Sequence, residues 1–162
     1  MRMAIATSEL VTALRTTAAR LEDGATYQWT HMGACNCGHL AQTLTRIDRA
    51  ELHRLALQRA GDWGDQSIEH CATSGLPIDD VITTMLDAGM ELRDIGELER
   101  LSAPDVLARI PLEERPLDRR DRAHVVKYMR AWAEMLEERL EPTSGVHEIA
   151  RPVATNALRR AG

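Results

Sequence analysis

Apolar side chains recur every three or four residues along most of this chain, which is the spacing of amphipathic helices. The first such stretch places Leu10, Leu14 and Leu21 on one face. Ser8 can cap its start, and Gly24 stands where a glycine commonly follows the end of a helix. The pattern therefore predicts a first helix between these two residues.

The same reasoning predicts further helices that begin near residues 38, 48, 77, 92, 102 and 118. The longest covers residues 118–141, in which Val125, Met129, Trp132 and Leu136 form one apolar stripe. That stripe can pack inside a monomer or form the seam of a homodimer. The sequence leaves both alternatives open.

No stretch of the chain predicts a β-strand, and no segment is repeated. The 162 residues include no Phe, so aliphatic side chains must fill most of the interior, and such a core suits helices better than sheets. We therefore expect an all-α fold, a compact single-domain bundle of about five to seven helices over residues 1–142 with an ordered loop that carries Cys and His. Residues 143–162 have little periodicity and are predicted to form a flexible C-terminal tail.

The net charge of −5 argues against general binding to nucleic acids, which requires a basic surface. The helices on either side of Gly89 have the outline of a helix-turn-helix, but acidic residues on the second one favour an ordinary αα-hairpin. No run approaches the roughly 18 apolar residues that a membrane span needs. The N-terminus turns polar at once, so we expect a cytoplasmic protein with reduced thiols.

The stretch HMGACNCGH, residues 31–39, holds two of the three cysteines and two of the six histidines. The third cysteine lies in a second predicted loop, residues 62–75, which can fold back onto the first. Thiolate and imidazole are the ligands that zinc and copper(I) prefer, and thiolates also hold iron–sulfur clusters. We expect a site for zinc or an iron–sulfur cluster, with a structural or sensing role and with copper as an alternative. The predicted ligands are Cys35, Cys37, Cys71 and either His39 or His31.

Two backbone geometries would present these ligands differently. In a knuckle, Gly33 and Gly38 allow unusual backbone angles, so that Cys35 and Cys37 both turn towards one ion. In a helix, residues four apart share a face, and Cys37 would point away from the other ligands of the stretch. The two glycines lower helix propensity and therefore favour the knuckle.

A second interpretation is a thiol-dependent enzyme or redox switch. Cys37 lies just before the predicted start of the second helix, where the helix dipole lowers the pKa of a thiol. A nucleophilic Cys37 would take His31, His39 or His70 as its base. Alternatively, Cys35 and Cys37 would form a reversible disulfide.

A third interpretation needs no chemistry at all, because free cysteines are commonly buried as small apolar side chains. The chain would then be a helical interaction module. Asp62 and Asp65 fit either picture, since they can orient a metal-bound histidine or simply occupy a turn. The sequence by itself names no substrate.

Overall fold

The computed structural model describes residues 4–140, and every regular element within them is helical. The all-α prediction is confirmed, with eight α-helices and one 3-10 turn in this part of the chain. The predicted tail, residues 143–162, lies outside the described residues. The α-helices are α1 (Ser8–Glu22), α2 (Asn36–Thr45), α3 (Arg49–Ala56), α4 (Trp63–Ile68), α5 (Pro77–Asp87), α6 (Leu92–Arg100), α7 (Pro104–Leu107) and α8 (Arg122–Leu140), and the 3-10 turn is Leu112–Glu114.

The longest helix, α8, packs along α1, and the apolar faces of both are buried in this contact. Val125, Met129, Trp132 and Leu136 are each at most 3% exposed. The predicted stripe is therefore covered within one chain. A homodimer through this helix would have to use a different face.

Helix α2 occupies the centre of the fold, in contact with α1, α3, α5 and α6. The first six of its ten residues, 36–41, are all buried. Asn36 fixes the start of the helix, because its side-chain Nδ2 donates hydrogen bonds to the carbonyls of Leu98 and Glu99, 2.9 and 3.1 Å away. These two carbonyls belong to the last turn of α6, where the carbonyl groups of a helix lack the amide donors of a following turn. The first turn of α2 is thereby attached to the end of α6.

Several predicted helix boundaries were wrong by a few residues, and local hydrogen bonds explain them. Thr7 rather than Ser8 caps α1, because its hydroxyl accepts the bond from the Leu10 amide. Helix α8 begins at Arg122 rather than 118, since the Asp121 carboxylate accepts a bond from the Ala123 amide. In both cases the deciding interaction is a cap that apolar spacing does not reveal.

The segment 62–75, predicted as a loop, contains the short helix α4. Asp62 caps it by accepting a bond from the Asp65 amide, and the Asp65 carboxylate accepts one from the Asp62 amide. These two aspartates therefore form a reciprocal capping box, a role not expected from the sequence. Six residues are too few to show a helical repeat, which is why the helix was missed.

Helices α4 and α6 form the second large contact of the fold. Gly64 faces Gly96 in this contact, and a Cβ on Gly96 would lie 3.9 Å from the Gly64 Cα, an ordinary van der Waals distance. Five of the nine residues of α6 are buried, including Ile95 and Leu98. Helix α5 packs mainly against α2 and α3, and α6 packs mainly against α4 and α2, so the two helices do not form the closely packed αα-hairpin that the sequence favoured. No helix within residues 4–140 has the length and apolar character to cross a membrane.

Candidate functional site

Cys35 serves as the N-cap of α2. Its Sγ accepts a hydrogen bond from the Gly38 amide at 3.4 Å and lies 3.5 Å from the carbonyl of Met32, to which the thiol donates. The side chain is only 3% exposed. Burial raises the pKa of this thiol to about 12, although the Gly38 amide opposes the shift. The thiol is therefore neutral and occupied with local bonds.

Cys37 lies inside the first turn of α2, because the helix begins at Asn36 and not near residue 38 as predicted. Its thiol is fully buried and donates to the carbonyl of Ile95 on α6, 3.4 Å away. Burial raises the pKa of Cys37 well above its usual value and outweighs the helix dipole, which acts in the opposite direction. Cys35 and Cys37 thus point to different partners.

Cys71 is exposed and makes its contacts elsewhere. Its Sγ lies 3.6 Å from the Thr73 hydroxyl, and its amide donates to Asp79. Hydrogen bonds from Thr73 lower the pKa of this thiol. None of the bonds of Cys71 reaches residues 31–39.

The two candidate histidines already have hydrogen-bond partners in the protein. The Nε2 of His39 lies 2.8 Å from the carbonyl of Thr26, and its Nδ1 lies 3.2 Å from the guanidinium of Arg20. Donation from Nε2 to the carbonyl leaves Nδ1 free to accept from the arginine, and this assigns a neutral ring. The Nδ1 of His31 accepts from the Gly33 amide, and its ring stacks on His53 at 3.8 Å. Burial lowers the pKa of both His31 and His39.

The two segments predicted to form the site, residues 31–39 and 62–75, do contact each other, through Met32 and Trp63. The Trp63 Nε1 donates to the Met32 carbonyl at 2.9 Å. Residues 4–140 contain no group of three or more Cys, His, Asp or Glu side chains that could hold a metal ion. The zinc or iron–sulfur site therefore stays a prediction of the sequence, and no geometry in this part of the chain assembles it.

A cleft of about 570 Å³ opens between α4 and α6. Its residues from α6 share one helical face, because they follow the spacing of three, four and seven positions. The floor is made by Gly64 and Gly96, and the other lining residues are larger. They are Ser67, Ile68, Leu92, Arg93, Glu97, Arg100 and Ser102.

Two charged side chains of this cleft are incompletely bonded. The Nε of Arg93 lies 3.1 Å from the Oε1 of Glu97 as an ion pair. The buried Nη1 of Arg93 and Oε2 of Glu97 have no hydrogen-bond partner among residues 4–140. Unpaired buried polar atoms cost folding free energy. These atoms are shielded from solvent, so a bound molecule would supply the missing bonds only after the two side chains turn towards the cleft.

A second carboxyl group lies beneath the cleft floor. The Oε2 of Glu99 accepts a hydrogen bond from the Gly64 amide at 2.8 Å, and this side chain is buried. A Cβ on Gly64 would lie 2.9 Å from that oxygen, 3.1 Å from Arg100 Nη2 and 3.2 Å from Asp62 Oδ1. Burial, followed by the nearby negative charge of Asp62, raises the pKa of Glu99 to about 7, although the Gly64 amide and Arg100 oppose the shift. Three ionisable groups therefore crowd around one glycine.

A groove of about 500 Å³ beside α8 is a poorer candidate, because most of its charged residues already form ion pairs. Three of its basic residues pair with carboxylates in the same chain. These pairs are Arg130 with Glu22, Lys127 with Glu114, and Arg109 with Glu138. The cleft between α4 and α6 therefore offers more unused bonding capacity.

This cleft was not predicted from the sequence, because the charges of α6 were used only to argue against a DNA-binding helix-turn-helix. The available signal was the spacing of Arg93, Gly96, Glu97 and Arg100, which places a glycine among charges of both signs on one helical face. No protein-family model matches the chain, and neither a curated protein nor a solved structure matches it significantly.

Proposed function

We propose that this protein binds a small organic acid in the cleft between α4 and α6. The observation that carries the proposal is the pair of arginines, Arg93 and Arg100, which line a cleft with a glycine floor. A cleft of this volume is within the usual size of small-molecule sites. Glycines at its floor leave room for a ligand to approach the backbone.

An acid is the ligand class that best suits two guanidinium groups. Guanidinium and carboxylate form paired, charge-assisted hydrogen bonds in a fixed planar geometry. Arg93 keeps a donor without an acceptor among residues 4–140, and the recorded bond of Arg100, to the Gly96 carbonyl, is long at 3.4 Å. A carboxylate between the two arginines would improve the bonding of both.

The remaining lining residues restrict further which class of acid would bind. The unpartnered Oε2 of Glu97, described above, requires a hydrogen-bond donor, which an amino or hydroxyl group would supply. Ile68 is 82% exposed and Leu92 is 37% exposed at the same cleft, so both offer apolar contact to an aliphatic group. We therefore favour an amino acid or hydroxy acid with an aliphatic side chain, with its carboxylate at Arg93 and Arg100 and its amino or hydroxyl group at Glu97.

Thermal unfolding with a small panel of compounds tests the proposal. L-leucine and 2-hydroxyisocaproate carry both an acid and a donor, isocaproate lacks the donor, and isoamylamine lacks the acid. At one hundred times its dissociation constant, a ligand adds about 2.7 kcal/mol to the free energy of unfolding. We expect the first two compounds to raise the Tm by about 5 to 10 °C, isocaproate by less, and isoamylamine not at all.

Arginine variants locate the effect in the cleft. Arg93→Gln and Arg100→Gln should each weaken binding about tenfold or more, because each removes a charged hydrogen bond. Arg54→Gln is the matched control, since Arg54 is an exposed arginine on α3 that pairs with Glu51. Equal effects of all three variants, or no Tm shift with any acid, would reject the proposal.

A further inference from the structure

We infer that the cleft takes up a proton together with its acid ligand, and that the carboxyl group of Glu99 receives this proton. The inference rests on the proposed function, because it describes how the same site is regulated. It depends on the position of Glu99, which lies directly before Arg100 in α6 and under Gly64 at the cleft floor.

The crowding around Gly64 connects the charge of Glu99 to the cleft. Atoms of Glu99, Arg100 and Asp62 all lie within 3.2 Å of the point that a Gly64 Cβ would occupy. Arg100 lines the cleft, and the two carboxyl groups lie behind it. Arg100 is therefore shared between the ligand and the two acidic side chains.

The ionisation of Glu99 decides how much of the Arg100 charge is available to a ligand. When Glu99 is ionised, two neighbouring carboxylates attract the guanidinium and reduce the positive potential in the cleft. When Glu99 is protonated, it can donate to the Asp62 carboxylate, and Arg100 faces one negative charge instead of two. An acid ligand should therefore bind more tightly to the protonated form.

Four other ionisable groups face Glu99 from the elements packed against it. From α2 it faces the thiols of Cys35 and Cys37, whose raised pKa values keep them neutral. From the start of α4 it faces Asp62, and along α6 it faces Arg100. The raised pKa of Glu99, about 7, places its titration within the physiological range.

The proton and the acid must affect each other's binding equally, and this reciprocity can be measured. If protonation of Glu99 tightens binding of the acid, then the bound acid must raise the pKa of Glu99 and draw a proton from solution. Coupling between two sites commonly changes affinity by about 5- to 150-fold. We expect the dissociation constant for an acid to rise about tenfold between about pH 6 and pH 8.5.

Isothermal titration calorimetry of the full chain with L-leucine and isocaproate tests the inference. Their carboxyl groups stay ionised over this pH range, so any proton uptake belongs to the protein. Titrations near pH 7 in buffers with different ionisation enthalpies should reveal uptake of a fraction of a proton per ligand.

Two variants test whether Glu99 is the residue that takes up the proton. Glu99→Gln keeps an acceptor for the Gly64 amide and should bind with no proton uptake and little pH dependence. Asp62→Asn keeps a good N-cap for α4 but removes the charge that raises the pKa of Glu99, so the pH profile should move to lower pH.

The outcomes separate the two proposals. Binding that is independent of pH, or a pH dependence that survives Glu99→Gln, overturns the proton inference and leaves the acid site in place. An unshifted profile in Asp62→Asn also counts against Glu99 as the proton acceptor. Absence of binding for both compounds at every pH overturns the proposed function itself.

Discussion

The three cysteines show how burial decides the chemistry of one residue type. Cys35 and Cys37 are buried, donate to backbone carbonyls, and have strongly raised pKa values. Cys71 is exposed, and hydrogen bonds from Thr73 lower its pKa. A thiol reacts as its thiolate. The reactive cysteine is therefore the one outside the conspicuous stretch at residues 31–39.

Labelling of the native protein with iodoacetamide near pH 8 tests this ranking. We expect rapid modification of one thiol per chain, lost in Cys71→Ser and unchanged in Cys37→Ser. All three thiols should react once the protein is unfolded in guanidinium. Rapid native labelling of Cys37 would contradict its burial and return attention to a nucleophilic role for that residue.

The turn before α2 and the first turn of α2 each depend on a glycine for space rather than for backbone angle. Gly33 and Gly38 both lack the positive φ that the knuckle interpretation required. A Cβ on Gly33 would lie 2.0 Å from the carbonyl oxygen of Arg49, and one on Gly38 would lie 2.2 Å from that of Met32. Both obstacles are backbone atoms, which cannot move aside as a flexible side chain does.

Gly38→Ala should therefore destabilise the protein even though alanine favours helices. We expect a loss of about 2 to 3 kcal/mol in the free energy of unfolding, typical of overpacking. Gly96→Ala is the matched control inside α6, because its new Cβ would meet the flexible end of Arg100 at 3.2 Å. Urea unfolding of the two variants measures the difference, and an equal effect would show that close backbone approach is not the reason.

The connection between α3 and α5 is held by a buried ion pair that links distant parts of the chain. Arg59 donates two hydrogen bonds to Asp79, at 3.0 and 2.7 Å, and the Asp79 side chain is 2% exposed. The Cys71 amide bonds to the same carboxylate. Burial raises the pKa of Asp79, but the bonds from Arg59, Ser74 and Cys71 outweigh it and bring the value to about 2.

Asp79→Asn should cost about 3 kcal/mol of stability at pH 7, because it leaves Arg59 without its charged partner. The folded pKa of Asp79 lies below the usual value, so its contribution is present above about pH 4 and is lost as the pH falls through about 2. Urea unfolding of wild type and variant at several pH values should show the difference shrinking over that interval. A constant difference down to about pH 2 would contradict the assigned charge.

The sequence predicted the elements that depend on local signals. Asp48 caps α3, Pro77 begins α5, and the stripe on α8 is buried as expected. Helix α4 was missed because one turn and a half of helix shows no repeat, and its capping box was interpreted as a pair of turn residues. The helix-versus-knuckle choice at residues 31–39 also failed, since the bond from Asn36 to α6 decides where α2 begins.

The sequence by itself determined the all-α class, most of the helices and a core without Phe, because helix periodicity and caps act over a few neighbouring residues. Only the tertiary structure decided which residues meet. It separated Cys71 from Cys35 and Cys37, buried Glu99 beside Asp62, and placed Arg93 and Arg100 over a glycine floor. The physical reason is that desolvation and charge pairing depend on contacts between helices far apart in the chain, and no local pattern records them.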